Sequence, residues 1–178
     1  HPHSSPIMGL TFEERLLVGA NGNHTLSFFF APRGEATAGP PAFMHRPAGE
    51  INPSVPLGHH VGQDVFHISS TVIGAQYESG NNTVGISTFS GTEPLPEEVN
   101  LDLHKPNSVG ILGTHKFSDH FDVVTSYAYV QSSHQDQLHR NDSIEKENAV
   151  SGWVNYGMPI GAGNFKSTTI FGTVVNST

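Results

Sequence analysis

Apolar and polar residues alternate with a period of two along most of the chain, which is typical of β-strands. In the segment 120–131, for example, one face would carry Phe121, Val123, Thr125, Tyr127 and Tyr129, and the other Asp122, Val124, Ser126, Ala128 and Val130. Runs with a helical period are nearly absent. The alternation predicts eight strands, near residues 7–19, 24–31, 66–78, 82–90, 108–117, 120–131, 148–158 and 164–175.

Short and long connections alternate between these predicted strands. The short ones lie near residues 20–23, 79–81, 118–119 and 159–163. Most contain glycine or asparagine, which tolerate the positive φ that tight hairpin turns need. The long connections span about residues 32–65, 91–107 and 132–147. This rhythm predicts four hairpins within a single domain, residues 1–178, that forms an antiparallel up-and-down meander.

Six of the eight predicted strands are 10–13 residues long, and the other two have eight and nine residues. Soluble sheets usually have strands of about 5–6 residues, whereas about 9–11 residues cross a bilayer at a tilt. Tight turns on one side and long loops on the other are typical of outer-membrane β-barrels. We therefore predict an all-β fold of about eight long strands that forms an outer-membrane-type barrel or part of a larger one. A soluble β-sandwich or lipocalin-like barrel has the same alternation and stays open as an alternative.

Composition narrows the functional classes. A formal net charge of -8 argues against a nucleic-acid-binding protein, which needs a basic face. The absence of cysteine excludes disulfides, thiolate zinc sites and cysteine nucleophiles. Only 13% of the residues are charged, against about 25% in ordinary soluble domains. Neither a Gly-x-Ser-x-Gly elbow nor a phosphate-binding loop occurs, so we expect no enzyme activity.

The first long connection concentrates the residues with the most distinctive chemistry. Neutral imidazole is a good ligand for copper and zinc, and the candidate metal ligands are His45, His59, His60 and His67. The candidates for structuring the loop are Arg46, Asp64 and Asn52. We expect these side chains mainly to hold the loop in shape over a barrel mouth. Binding of copper or zinc is the alternative, and a second copper arrangement would join His1 to His60 or His67.

The motifs in the first half of the chain resemble a family of bacterial outer-membrane-like β-barrel proteins. They comprise His1-Pro2-His3, the run from Gly39 to Arg46, Asn52-Pro53, the run from Pro56 to His60, Asp64, His67-Ile68 and Gly91-Thr92-Glu93-Pro94. The resemblance covers about residues 1–95. It implies a barrel fold and a location in the bacterial outer membrane, and it implies no particular activity.

The even number of strands and the short first turn predict the side of the sheet on which the two ends of the chain lie. The first connection is a short turn, so both ends of an eight-stranded meander would lie on the long-loop side, unlike the usual bacterial barrel. We therefore expect this chain to be an inner portion of a larger barrel.

The functional prediction is a non-enzymatic, pore-like or envelope-structural outer-membrane protein with a histidine-rich loop at its mouth. Its partners would be membrane lipid and small solutes. Two alternatives remain open. One is a soluble, histidine-rich β protein that binds copper or zinc. The other is a β subunit that completes its sheet by assembling with other chains, including copies of itself, through strand edges.

Overall fold

In the computed structural model, the described residues are 9–19, 22–39, 68–92, 101, 103–134 and 143–177. They form a single antiparallel sheet in which each strand pairs with the next along the chain. The strands are β1 (Leu10–Val18), β2 (His24–Gly34), β3 (Ser69–Ser79), β4 (Asn82–Ser90), β5 (Ser108–Ser118), β6 (Phe121–His134), β7 (Ser143–Ile160) and β8 (Gly163–Ser177). The predicted all-β meander is therefore confirmed. The sheet is open, with β1 at one edge and β8 at the other.

The tight turns lie where glycine allows them. Gly80 has a φ of 54° between β3 and β4, and Gly161 has a φ of 58° between β7 and β8. Gly22, with a φ of 63°, donates its N–H to the carbonyl of Gly19 between β1 and β2. Glycine adopts this left-handed conformation without steric cost. These turns put the four hairpin ends on one side of the sheet, the turn side, and the longer connections on the other, the loop side.

Strand pairing continues further than the alternation predicted at two places. The β6–β7 ladder extends to the pair His134 and Ser143, so much of the predicted loop 132–147 is strand. Strand β2 likewise runs to Gly34 instead of ending near residue 31. The segments 131–134 and 143–148 are mostly polar. Because such residues carry little alternation, the sequence pattern could not distinguish this extension from a loop.

Cross-strand register divides the side chains between two faces. We call the side on which residues 35–39 lie the inner face, and the opposite side the outer face. Most of the large, exposed apolar side chains lie on the outer face, including Phe12, Leu16, Phe28, Ile73, Val84, Ile86, Ile111, Tyr127, Val150, Phe165 and Phe171. Several are about half exposed, such as Phe12 at 59% and Val84 at 54%.

A small apolar core lies on the inner face, toward the loop side. It consists of Ala31, Ala36, Val72, Phe89, Ala128, Val130 and Ala149, with Phe29 and Ala38 packed against it. A soluble sheet normally packs its large apolar side chains inward. Here the covered core combines a few larger side chains, such as Phe89 and Val72, with several alanines, whereas most of the exposed large apolar side chains face outward.

Candidate functional site

Two neighbouring rows, made of small residues except for Leu112, run across the inner face, perpendicular to the strands. The first row consists of Gly74, Ser87, Gly110, Ala128 and Ala149. The second consists of Gly85, Leu112, Ser126, Ser151 and Gly172. Residues directly opposite each other in antiparallel strands share a face. The rows therefore form a shallow track in which another segment can approach the sheet backbone closely.

Residues 35–39, which we call the strap, occupy this track directly after β2. The backbone N–H of Thr37 donates to Ser87 Oγ at 2.7 Å, and that of Gly39 donates to Ser126 Oγ at 3.0 Å. Ser151 Oγ donates to the carbonyl of Gly39 at 2.5 Å. Three serines on β4, β6 and β7 thus hold the strap across the inner face.

Glycine is required where the strap crosses β4 and β5. A Cβ added at Gly110 would lie 2.6 Å from the Thr37 carbonyl oxygen and 2.9 Å from Ala38 Cβ. A Cβ added at Gly85 would lie 2.7 Å from Thr37 Cγ2. Glycine within a strand often marks such a close approach of another backbone.

The strap also completes the inner apolar core. Ala36 is 7% exposed and belongs to the same cluster as Val72, Phe89 and Val130. Hydroxyl hydrogen bonds and apolar contacts therefore act together on this segment, which covers the loop-side half of the inner face.

The turn-side half of the inner face is polar and partly accessible to solvent. On β1, Arg15 Nε donates to Glu13 Oε1 at 2.8 Å. Across β6, β7 and β8, Asn155 Nδ2 donates to Asp122 Oδ1 at 2.8 Å, and Thr168 Oγ1 donates to Asn155 Oδ1 at 2.9 Å. On the inner side, the sheet thus has a covered half and an open, hydrophilic half.

The outer face carries aromatic pairs near the turn side. His24 and Tyr77 stack with ring centroids 5.7 Å apart, and His24 Nδ1 lies 3.1 Å from Tyr77 Oη. Phe117 and Phe121 pack at 5.3 Å. Tyr156 lies on the same side, with its ring 6.5 Å from a neighbouring phenylalanine. Aromatic side chains with polar tips are enriched where an apolar surface meets water.

Small residues also leave a shallow depression of about 720 Å³ on the outer face. Its floor is the row Gly113, Thr125 and Gly152, and its walls include Val84 and Phe171. The lining is almost entirely apolar, so the depression does not interrupt the apolar character of this face.

The sequence-predicted site residues lie outside the described part of the chain. This applies to the candidate metal ligands His45, His59, His60 and His67, and to Arg46, Asp64 and Asn52. Within the described ranges, no group of three or more histidine, aspartate or glutamate side chains is placed to hold a metal ion.

Sequence reasoning missed the strap serines. Their signal in the sequence is that Ser87, Ser126 and Ser151 share the alternating positions of the less apolar face. That signal identifies a face but not the segment that covers it.

Comparisons with known proteins do not assign this chain to a class, so its class is defined by its fold. No family model, curated protein or solved structure matches the chain. Among the described residues, no helix is long and apolar enough to cross a membrane. The class that the structure defines is an open, eight-stranded, up-and-down antiparallel sheet with one strapped face and one exposed apolar face.

Proposed function

We propose that this chain is a non-enzymatic β-barrel protein of the outer-membrane type, or part of a larger barrel, in which the strap narrows the lumen. The observation that carries the proposal is the inverted polarity of the sheet. Most of the exposed large apolar side chains lie on the outer face, whereas most of the charged strand residues lie on the inner face, beside a small core that includes Phe89. Membrane barrels have an outward apolar band and a polar interior.

The distribution of charged side chains between the inner and outer faces supports the same assignment. The charged strand residues with described side chains that lie on the inner face are Glu13, Arg15, Arg33, Glu78, Lys116, Asp122, Glu147 and Lys166. Glu14 and Lys146 lie on the outer face. Lys146 is close to the loop end of β7. Glu14 lies on an edge strand, where charges hinder unwanted pairing.

Strand length fits a bilayer. An 11-residue strand such as β2 spans about 36 Å at about 3.3 Å per residue. Tilted by about 35–45°, it covers the apolar band of about 25 Å found in such barrels. The aromatic pairs near the turn side would then lie at one membrane interface. A location in the bacterial outer membrane follows from this assignment together with the motif resemblance.

The mechanism would be passive. The strap covers the loop-side half of the inner face and leaves the hydrophilic turn-side half open, so it would restrict the passage of small solutes. Residues 40–67 continue from the strap, which is consistent with a histidine-rich loop at the mouth.

Two residues of β4 allow a matched test. Ile86 lies on the outer face at the middle of the strand and is 48% exposed, whereas Thr83 lies on the inner face opposite Glu78. In lipid vesicles, we expect Ile86→Arg to lower the free energy of unfolding by about 2–4 kcal/mol, because arginine is costly near the bilayer midplane. Thr83→Arg should change it by less than about 1 kcal/mol. Guanidinium titration followed by the fluorescence of Trp153, which is 3% exposed, measures both.

A soluble sheet predicts a different outcome. A half-exposed surface residue normally tolerates arginine within about 0.5 kcal/mol. Equal stabilities of the two variants would therefore contradict the membrane assignment.

A further inference from the structure

The two edge strands of the sheet, β1 and β8, run in opposite directions and carry complementary charge. Strand β1 contains Glu13, Glu14 and Arg15 and is acidic overall, whereas the one charged residue of β8 is Lys166. Glu13 and Lys166 both lie on the inner face. The β8 edge of one sheet can therefore pair in the antiparallel direction with the β1 edge of another, with the inner and outer faces continuous across the seam.

Charge distinguishes among the registers that such a seam could adopt. In one register Lys166 lies opposite Glu13, and Asn164 lies opposite Arg15. A shift of two residues keeps the faces aligned, but in one direction it brings Lys166 opposite Arg15, and in the other opposite Thr11. Like charges directly opposite each other destabilise a ladder, and opposite charges stabilise it. The register that pairs Glu13 with Lys166 is therefore the favoured one.

The same register agrees with the geometry of a closed barrel. Successive ladder pairs lead from Arg15 on β1 to Gly172 on β8, whereas the seam would place Arg15 opposite Asn164, eight residues further along β8. Eight residues correspond to about 26 Å along the strands, and eight strand spacings to about 38 Å across them. The strands would thus tilt by about 35°, within the range of about 35–45° found in barrels.

The strap indicates how many strands the barrel needs. The interior of an eight-stranded barrel is just wide enough for side chains to fill. Here the strap backbone also lies on the inner face, because a Cβ added at Gly110 would lie 2.6 Å from the Thr37 carbonyl oxygen. The buried side chains of Phe89 and Trp153 lie on the same face. Closure of one sheet on itself would leave too little room for the strap, whereas sixteen strands leave an aqueous channel.

We propose that two copies of this chain close a sixteen-stranded barrel through two identical seams. In each seam, β8 of one copy pairs with β1 of the other, with Lys166 opposite Glu13. The inference rests on the proposed function and names a partner for it, a second copy of the chain. Such a head-to-tail interface closes into a ring when the rotation fits. Both copies then have their turn sides at the same membrane interface, and no strand edge stays open.

Disulfide cross-linking in detergent tests the seam, because the chain contains no cysteine. Phe12 and Ser167 would lie opposite each other on the outer face, away from the strap. Directly opposed residues have Cα atoms about 4.5–5.5 Å apart, a distance that a disulfide spans. We expect a mixture of Phe12→Cys and Ser167→Cys chains to form, on oxidation, a covalent dimer with one chain of each kind.

Two neighbouring positions on β8 serve as matched controls for the register. Phe165 and Thr169 share the outer face with Ser167 but lie two residues to either side of it. Phe165→Cys and Thr169→Cys should therefore cross-link to Phe12→Cys about tenfold more slowly than Ser167→Cys does. Faster cross-linking at either control position would overturn the assigned register.

A charge exchange tests the contact between Glu13 and Lys166. Introduced into the Phe12→Cys chain, Glu13→Lys opposes two like charges and should slow the cross-linking about fivefold. Lys166→Glu in the Ser167→Cys chain should then restore the original rate. A loss of the Glu13 contact with Arg15 alone would not be corrected in this way, so failure of the exchange would contradict the charge pairing.

A chain with both Phe12→Cys and Ser167→Cys distinguishes two copies from one. The proposal predicts a dimer joined by two disulfides, whereas a disulfide within a monomer would show that one chain closes on itself and would overturn it. Absence of cross-linking would overturn it as well. If the seam fails while Ile86→Arg is still more destabilising than Thr83→Arg in vesicles, the barrel assignment stands without the second copy.

Discussion

At the residue scale, small side chains carry much of the structural information in this chain. Gly110 leaves room for the strap backbone, and Ser126 and Ser151 form hydrogen bonds with the strap. Ala36 of the strap packs into the inner apolar core. Nineteen glycines and a low content of charged residues are consistent with this architecture. On the inner face, close backbone approach thus adds to a small core in which alanines outnumber large side chains.

Thr71 offers a test of strain at this scale. Glycine adopts a φ of 53° without the penalty that a β-branched residue incurs, which is of order 1–3 kcal/mol. Thr71→Gly should therefore raise the free energy of unfolding by about 1 kcal/mol, after allowing for the greater freedom of glycine in the unfolded chain. Chemical denaturation in detergent measures the change. A loss of stability would show that the Thr71 side chain makes a favourable contribution that outweighs the strain.

At the element scale, the strap is an irregular segment held by a regular sheet. Its polar backbone groups bind serine hydroxyls at Ser87, Ser126 and Ser151 and leave the strand ladders intact. Because neighbouring strands all contribute, loss of any one contact should loosen the strap without unfolding the sheet.

Two glycines of β5 provide a matched pair for testing the strap. An added Cβ at Gly110 would meet strap backbone at 2.6 Å, whereas one at Gly113 meets only Thr125 Oγ1 at 3.6 Å, an ordinary contact. Gly110→Ala should therefore displace the strap and lower the stability by about 1–3 kcal/mol. Gly113→Ala should be neutral or slightly stabilising.

Displacement of the strap can be measured directly. The chain contains no cysteine, so Ala38→Cys introduces a single thiol within the strap. Maleimide labelling of this thiol should be faster with Gly110→Ala than with Gly113→Ala. Equal labelling rates would contradict the role assigned to Gly110.

At the scale of the whole molecule, the exposed apolar outer face and the open strand edges are unfavourable in contact with water. The outer-face row Ile86, Ile111, Tyr127 and Val150 is continuous across four strands, and each of these residues is 41–52% exposed. Exposed apolar patches of this extent promote association in water. The edges at β1 and β8 add backbone groups that can pair with another strand.

Because of this exposed apolar surface, the association state of the protein should depend on detergent. On removal of detergent, we expect the protein to self-associate, because the outer face and the strand edges then meet water. Analytical ultracentrifugation with and without detergent measures the change. A monodisperse monomer in plain buffer would be inconsistent with the proposed function.

Much of the fold could be predicted because its signals are local. Alternation placed Phe121, Val123 and Tyr127 on one face and Asp122 and Ser126 on the other, and the register confirms this division. The extension of the β6–β7 ladder was missed because its polar residues lack that alternation. The predictions for the histidine-rich loop concern residues beyond the described ranges and stay predictions.

By itself, the sequence determined the number of strands, their antiparallel order and the glycine turns, because period-two alternation and positive φ act over a few residues. Only the tertiary structure decided that residues 35–39 lie across β4 to β7, and that Ser87, Ser126 and Ser151 hold them there. It also placed Arg33 opposite Ser70 in the β2–β3 ladder. These contacts join residues that are far apart in the chain, so they depend on register and close approach across strands, which no local pattern records.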